Sequence, residues 1–472
     1  MFNKFPEILQ EMVESFQFEP LSGSIQPIIE EVLAEHNKNK NRKGTKLTSV
    51  FLVWIVLTLT LRRDLSYPKL LNWLISGIRW TYAILPTKLV ECGTISHARI
   101  KLGVAVFQDI YYKFVAKLKI KIKPDFHKWK TVMFDGTALS MPDTESNRKK
   151  FKKHKSGRGK GAFPQMRVVA LMALQSRIII DFAYAAIKGK KTGERTLMMQ
   201  ILKKINMKDL LFLFDAGFYS FFLAWYLQEK GQDFIMKLSK SVNLPVFGKS
   251  RRPDGSYLSV IKKKIKDTSK PNGKQTEWKE VEITVRVIIF QIPGFQPVRL
   301  ITTLLDPEIT AKEIIVHYHK RWDIEISYDE IKTHQCATLK GHEPTIFRSK
   351  RADLVEQELY AMLTTYNLIR ELIFEAARKH GTNPLSISFL DTLQMIFESA
   401  PFINITNQIK KNKIIQYLLE IIGSLLIDRP RRHRSNPRVV KKKMSNFKRK
   451  RRTDKSKYID FEKEIEIIYA LP

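Results

Sequence analysis

Three carboxylates in this chain have the type and setting to hold divalent metal ions: Asp135, Asp215 and Glu325. Each aspartate closes a short apolar run, Thr-Val-Met-Phe before Asp135-Gly136 and Leu-Leu-Phe-Leu-Phe before Asp215-Ala-Gly217. Glu325 lies in a stretch with helical spacing. Carboxylate oxygens are hard donors suited to Mg2+. Phosphodiester chemistry uses two such ions about 4 Å apart, one activating the attacking oxygen and one stabilising the leaving oxygen. An aspartate before a small residue is on its own a common turn residue. Its repetition at two strand ends is what singles these two out. The histidines offer no rival site: His317 and His319 are two apart on a helix and diverge by about 200°. His154, His334 and His342 have no partner at ligand spacing. The segment Gly157-Arg-Gly159-Lys160-Gly161 is basic but lacks the spacing and the preceding strand of a phosphate loop. No Ser or Cys nucleophile sits in a recognisable frame.

The elements that must carry these residues follow from the local patterns. Residues 131–134 read as a strand. After a basic loop, Met166–Leu174 and Arg177–Ala185 read as strands joined through Gln175-Ser176. A helix at Glu194–Ile205, a strand at Leu210–Phe214, a helix at Ser220–Lys230 and a strand at Asp233–Leu238 complete the order β-β-β-α-β-α-β. Three antiparallel strands and a helical crossover to a fourth give the chain order of the ribonuclease-H-like fold. There the first and fourth strands lie side by side, so Asp135 and Asp215 end neighbouring strands. From 240 to about 305, turn signals such as Pro253-Asp254-Gly255 and Pro271-Asn272-Gly273 separate β-rich stretches, an insertion. A long helix is expected from about Ala311 to Lys332. Asp181, on the third strand, reads as structural or solvent-facing.

On that helix, at about 100° per residue, Tyr318, Arg321, Glu325 and Lys332 share a stripe about 60° wide. Trp322 and Asp329 flank it. The bland reading is a solvated face with i,i+4 ion pairs. Asp329, one turn beyond Glu325, is a second candidate for the third carboxylate.

The charge is strongly one-sided: 82 Lys+Arg against 47 Asp+Glu give +35, with a pI near 9.9. Three runs carry 27 of that excess: +14 over 429–457, +8 over 148–160 and +5 over 38–46. Each alone is as well read as a solvated loop. Three in one chain point to phosphate contact, since each neutralised phosphate releases counterions. The other composition figures exclude several classes. Apolar residues at 44% make a folded protein. Two cysteines, Cys92 and Cys336, leave no disulfide framework or Cys-rich zinc module. The longest apolar run, 47–61, is 15 residues with three Thr and a Ser, short of the roughly 20 that span a bilayer. With no secretory signal visible, the expectation is a cytoplasmic, nucleoid-associated protein with no membrane partner. Residues 1 to about 125 read as helical (47–61, Tyr67–Trp80 and Ser96–Leu118 with Ser96 as N-cap), compatible with a small DNA-binding module.

These residues together resemble the DDE transposases of the insertion sequence 4 family. The resemblance rests on Asp135-Gly136-Thr137, Pro142-Asp143-Thr144-Glu145-Ser146-Asn147, Phe163-Pro164-Gln165 and Asp215-Ala216-Gly217-Phe218. Its most specific part is Tyr318-x2-Arg321-x3-Glu325-x6-Lys332, the family's YREK signature without departure. Leu21-x-Gly23, Ala98-Arg99-x3-Gly103 and Arg434-Ser-Asn-Pro437-Arg438-Val-Val-Lys441 carry it towards both ends.

The resemblance implies an α/β fold: a ribonuclease-H-like catalytic core interrupted by a β-rich insertion, with an N-terminal helical domain and a helical, basic C-terminal region. The expected domains are 1–125, helical and DNA-binding; 126–239, first part of the core; 240–305, the insertion; 306–350, second part of the core with the glutamate helix; and 351–472, helices and basic tail. It implies Asp135, Asp215 and Glu325 as catalytic metal ligands for two Mg2+ ions, with Mn2+ able to substitute, and motif spacing selects Glu325 over Asp329. Tyr318, Arg321 and Lys332 are expected to contact DNA near the cut, with Lys149, Lys150, Lys152, Lys153, Arg158 and Lys160 on the backbone. Trp322 is a stacking platform or, slightly preferred, core. The implied reaction is cleavage of DNA at insertion-sequence ends and joining of the 3′ ends to target DNA, by a homodimer on double-stranded DNA with terminal inverted repeats. The alternative is a non-catalytic DNA-binding protein derived from a transposase.

Overall fold

A computed structural model describes residues 16–41, 45, 47–76, 90–156, 159–239, 242–266, 278–293, 295–335, 346–403, 408–427, 434–435, 457–458 and 460–469. The chain divides into two compact units. The first is Met1–Lys123, Phe134–Asn206 and Asp323–Leu426; the second is Pro124–Met133, Met207–Trp322 and Ile427–Pro472.

The first unit opens with helices α1 (Ser22–Glu35), α2 (Ser49–Leu59), α3 (Tyr67–Leu74), α4 (Cys92–Leu102) and α5 (Val104–Lys119). Apolar on every side, α2 is buried from Phe51 to Leu59, as a helix of that composition must be. The single helix expected over 96–118 is two helices. Gly103, at φ +86°, breaks it, and Glu91 rather than Ser96 is the N-cap of α4. The strands of this unit are the second half of β1 (Lys130–Ser140), β2 (Lys153–Ser156), β3 (Gly159–Ala173) and β4 (Ile179–Ala186), with α6 (Glu145–Phe151) before β2 and α7 (Glu194–Leu202) after β4. The basic stretch expected as a loop is thus a short helix and a hairpin. β3 neighbours β1 and pairs antiparallel with β4. Then come α10 (Asp323–Asp329), the 29-residue α11 (Ala352–His380), α12 (Phe389–Ile403) and α13 (Gln408–Ser424). The buried Arg99 guanidinium donates to Gln357, Tyr67, Ser349 and the Leu354 carbonyl, seating α4 on the start of α11.

In the second unit, the first half of β1 lies parallel to β5 (Leu210–Phe214), with Lys130 opposite Leu210 and Met133 opposite Leu213. β5 is parallel to β6 (Asp233–Lys237), across helix α8 (Phe221–Glu229). The adjacency of first and fourth strands expected of a ribonuclease-H-like core is therefore present. The insertion supplies β7 (Tyr257–Lys266), β8 (Trp278–Gln291) and β9 (Val298–Thr302). It extends this sheet, since β9 pairs antiparallel with both β6 and β8. Helix α9 (Ala311–His319) follows. The short strand β10 (Glu466–Ile467) pairs with the end of β8, and Phe461 stacks on His319 with ring centroids 3.7 Å apart. Apart from two residue pairs, 434–435 and 457–458, the basic run 429–457 lies outside the described residues.

The long helix expected over 311–332 is broken twice. Lys320–Trp322 is a 3-10 turn and Glu330–His334 a π-turn closed by the Gln335 N–H on the Glu330 carbonyl. At three residues per turn the first break advances each residue by about 120°, so a uniform angular count fails across it. No helix among the described residues is long and apolar enough to cross a membrane.

Candidate active site

In the first unit, β1 continues through Asp135, Gly136 and Thr137, all half-buried, to Ser140; the strand expected to end at 134 is longer, and Asp135 lies within it, two residues past the last pair with β5. The Gly136 N–H donates to Asp135 Oδ1 at 2.8 Å, holding that oxygen against the next peptide group. The segment carrying Glu325 is attached to this part of β1 at two points. Tyr328 donates its hydroxyl to the Asp135 carbonyl at 2.7 Å, and Lys332 Nζ reaches Thr137 Oγ1 at 2.9 Å. Burial first, and then the Asp135 carboxylate, push the Tyr328 hydroxyl well above its usual range, so it stays a proton donor. Glu325 is exposed, while Ile324, Ser327 and Tyr328 face inward. Glu194, opening α7, lies against Gly136: a Cβ there would meet the Glu194 side chain at 2.7–2.8 Å.

In the second unit, Asp215 follows β5 and starts a turn in which its carbonyl accepts from the Phe218 N–H at 3.0 Å. Tyr318, on α9, donates its hydroxyl to the carbonyl of Phe214, one residue before Asp215, at 3.0 Å. Its ring is only 6% exposed. Burial raises its pKa, and Asp215 adds to the effect more weakly than Arg321 opposes it. Arg321 is likewise 6% exposed and lies 5.2 Å from the Trp322 ring. Tyr318 and Arg321 therefore do not form the solvated face of the bland reading, and the Tyr318 hydroxyl bonds to the protein's own backbone. Trp322, read as core, is 41% exposed. Two anchors hold α9. Asp254 of the insertion accepts the Ala311 N–H at 2.8 Å and pairs with the fully buried Arg286. His317 meets Thr131 Oγ1 at 2.7 Å and stacks on Phe126 at 4.1 Å. Burial foremost pushes its pKa down to about 3, so it is neutral near pH 7.

Of the basic residues singled out in the 148–160 run, Lys149, Lys150 and Lys152 are exposed and Lys153 is half-buried. Arg158 and the Lys160 side chain lie outside the described residues. Acids take up part of this charge: Asp143 pairs with Lys153 at 2.6 Å and Arg148 at 3.0 Å, and Glu356 with Lys150 at 2.6 Å. Asp181 is structural, its carboxylate accepting from the Phe182 N–H and the Tyr112 hydroxyl.

Asp135, Asp215 and Glu325 are carboxylates, hard donors of the kind that suits Mg2+. Among the described residues, no three His, Cys, Asp or Glu side chains stand close enough together to hold a metal ion.

The family described as Transposase DDE domain matches residues 130–368, half of the chain, and that described as Insertion element 4 transposase N-terminal matches residues 17–112. The chain belongs to the DDE transposase family, of the insertion sequence 4 type. It is 27% identical over 425 residues to Transposase InsG for insertion sequence element IS4 of Escherichia coli (strain K12), covering 88% of this chain and 90% of that protein. Among solved structures, a cryo-EM structure of piggyBac transposase in a synaptic complex with hairpin DNA matches over 90% of this chain and 86% of that one. Its TM-score is 0.42 and its identity 11%.

In this DDE-family chain the sequence reading passed over Tyr328, Arg177, Glu330 and Glu194. Tyr328 had a signal, an aromatic three residues after the glutamate and so on an adjoining face. Arg177 and Glu330 had none, because their partners are distant in the chain.

Proposed function

We infer that this protein cleaves DNA at the ends of an insertion sequence and joins the freed 3′ ends to target DNA, with Asp135, Asp215 and Glu325 as the metal-holding carboxylates. The observation that carries the reading is the strand register. β1 and β5 are parallel with Met133 opposite Leu213, and each strand has an aspartate two residues past that pair. The Tyr328–Asp135 and Lys332–Thr137 hydrogen bonds support it further, since they attach the glutamate segment to the first of these strands.

In this reading the three carboxylates hold two Mg2+ ions, which supply Lewis-acid activation of the attacking oxygen and charge stabilisation at the leaving one. The chain's own groups do the positioning. Tyr328 bonds the backbone carbonyl of Asp135 itself, within β1, and Tyr318 that of Phe214, the last residue of β5, so both aspartates sit on anchored main chain. Lys332, held beside Thr137, presents its ammonium to a phosphate oxygen, and Arg321 adds a second cation. Trp322, exposed beside Arg321, offers a face for an unpaired base. Lys149, Lys150, Lys152 and Lys153 contact the DNA backbone without reading sequence. Joining two ends requires two active sites, hence at least a homodimer on DNA.

The second reading, a DNA-binding protein without catalysis, has one observation on its side: no three ligating side chains are gathered among the described residues. Strand-cleavage assays on DNA bearing the element's ends decide between them. Mg2+-dependent nicking by wild type that is lost in Asp215→Asn, with DNA binding kept, is expected. Binding without metal-dependent nicking in wild type would establish the second reading.

A further inference from the structure

Next to the signature segment lies a charged cluster that no step above uses. Arg177 sits in the turn between β3 and β4 with φ +57°, a left-handed conformation unusual for a residue with a side chain. Its side chain is buried and forks. Nη2 donates to Asp323 Oδ1 at 2.8 Å and Nη1 to Glu330 Oε1 at 2.9 Å. Asp323 is the first residue of α10 and Glu330 the first of the π-turn, so one guanidinium grips both ends of the seven-residue helix that carries Glu325 and Tyr328. The other Glu330 oxygen is held from α11, by the Tyr366 hydroxyl at 3.0 Å and by Arg370, which is itself fully buried. Burial disfavours ionised Glu330, yet Arg370 and Arg177 outweigh it and hold its carboxyl below the usual range.

Two arginines and two carboxylates buried together are a poor way to gain stability, because apolar side chains of similar volume usually do as well or better. What the ionic arrangement adds is geometry. A planar fork accepts its partners in fixed directions, and a π-turn needs something to hold its irregular register. We propose that Arg177, assisted by Arg370, is a positioning residue for the cleavage reaction: it sets the rotation and length of the Asp323–His334 segment and so the placement of Glu325 and Lys332 against β1. The proposal rests on the catalytic reading above.

The test uses Arg177→Lys, which keeps the charge and loses the fork, and Arg370→Lys as the second variant. The full-length proteins are compared by thermal melting, affinity for end DNA without metal, amide hydrogen exchange over 323–335, and nicking rate against Mg2+ concentration. The expected result has melting and DNA affinity close to wild type, with exchange over 323–335 at least tenfold faster. The nicking rate falls ten- to a hundredfold, and the Mg2+ concentration for half-maximal rate moves upward. Activity that falls only in step with the folded fraction, and returns fully at a temperature where the variant is folded, would overturn the proposal. So would failure of both variants to fold, which would make the cluster purely structural. Absence of nicking in wild type would instead strike the catalytic reading, while the exchange comparison still reports on the clamp.

Discussion

The Tyr328 hydroxyl donates to the backbone carbonyl of Asp135 at 2.7 Å, across 193 positions of sequence. Together with the Lys332–Thr137 bond it fixes the helix carrying the glutamate against β1, and it acts through the main chain of Asp135, leaving both carboxylates out of the contact. Replacing the ring by Phe keeps the packing and removes only the donor. Tyr328→Phe is expected to cost about 1 kcal/mol of stability, read as a small loss in urea unfolding. A displacement of about 1 Å at a reacting centre lowers rates by as much as about 10²-fold, so nicking is expected to fall further than stability.

Gly136 faces the end of the Glu194 side chain, so an added methyl forces that carboxylate aside at small cost to the fold. Displacing or neutralising a negative charge beside Asp135 weakens cation binding by about 1 kcal/mol, roughly fivefold. Gly136→Ala and Glu194→Gln are each expected to raise the Mg2+ concentration for half-maximal nicking by about that factor, with thermal melting almost unchanged.

Lys149 and Lys152 are exposed, while Lys150 is already paired with Glu356 and Lys153 with Asp143. Each ammonium that neutralises a phosphate contributes about 0.9 to the slope of log affinity against log salt. Lys149→Ala and Lys152→Ala are expected to lower that slope by nearly this amount each in filter-binding titrations. Lys150→Ala should lower it less.

His317 titrates near 6.5 when unfolded and near 3 in the folded protein. The unfolded chain therefore binds more protons between those values, and stability is lost as pH falls through that window. Glu330, depressed below its ordinary 4.5, adds a loss of the same sign only at lower pH. His317→Gln is expected to flatten the decline in unfolding free energy between pH 6.5 and 4.5, measured by urea titration at several pH values. An unchanged slope would assign the acid sensitivity elsewhere.

The core was legible because its signals are local. Leu210–Phe214 is a strand within the bounds its apolar run implied, and Ser220 caps α8 as its position at the head of a helical pattern suggests. Asp135 and Asp215 were visible for the same reason, although β1 runs on to Ser140, past the end that its apolar run implied. What escaped depends on contacts across the chain. A continuous helical periodicity from 311 to 332 hides a 3-10 turn and a π-turn, because the first is three residues long and the second is held by Arg177 and Arg370 from elsewhere. The inward side of Tyr318 and Arg321 was missed because both are polar at the tip and their partners lie on other elements. Gly103 could have been read, as a glycine inside a helical pattern is a natural place to break it.

The stretch of positive charge near the end of the chain is bounded on both sides by folded structure. Before it, Leu426 bridges to Ile387; after it, Phe461 lies on His319, the last residue of α9, and Glu466–Ile467 borders β8 while Ile467 and Tyr469 close over Gly255. Cutting the protein short at residue 428 thus strips off a sheet-edge partner and a ring against α9 together with the lysines and arginines. A shortened version that no longer binds DNA would leave the cause ambiguous, and glutamines placed at the basic positions of an uncut chain separate the two contributions.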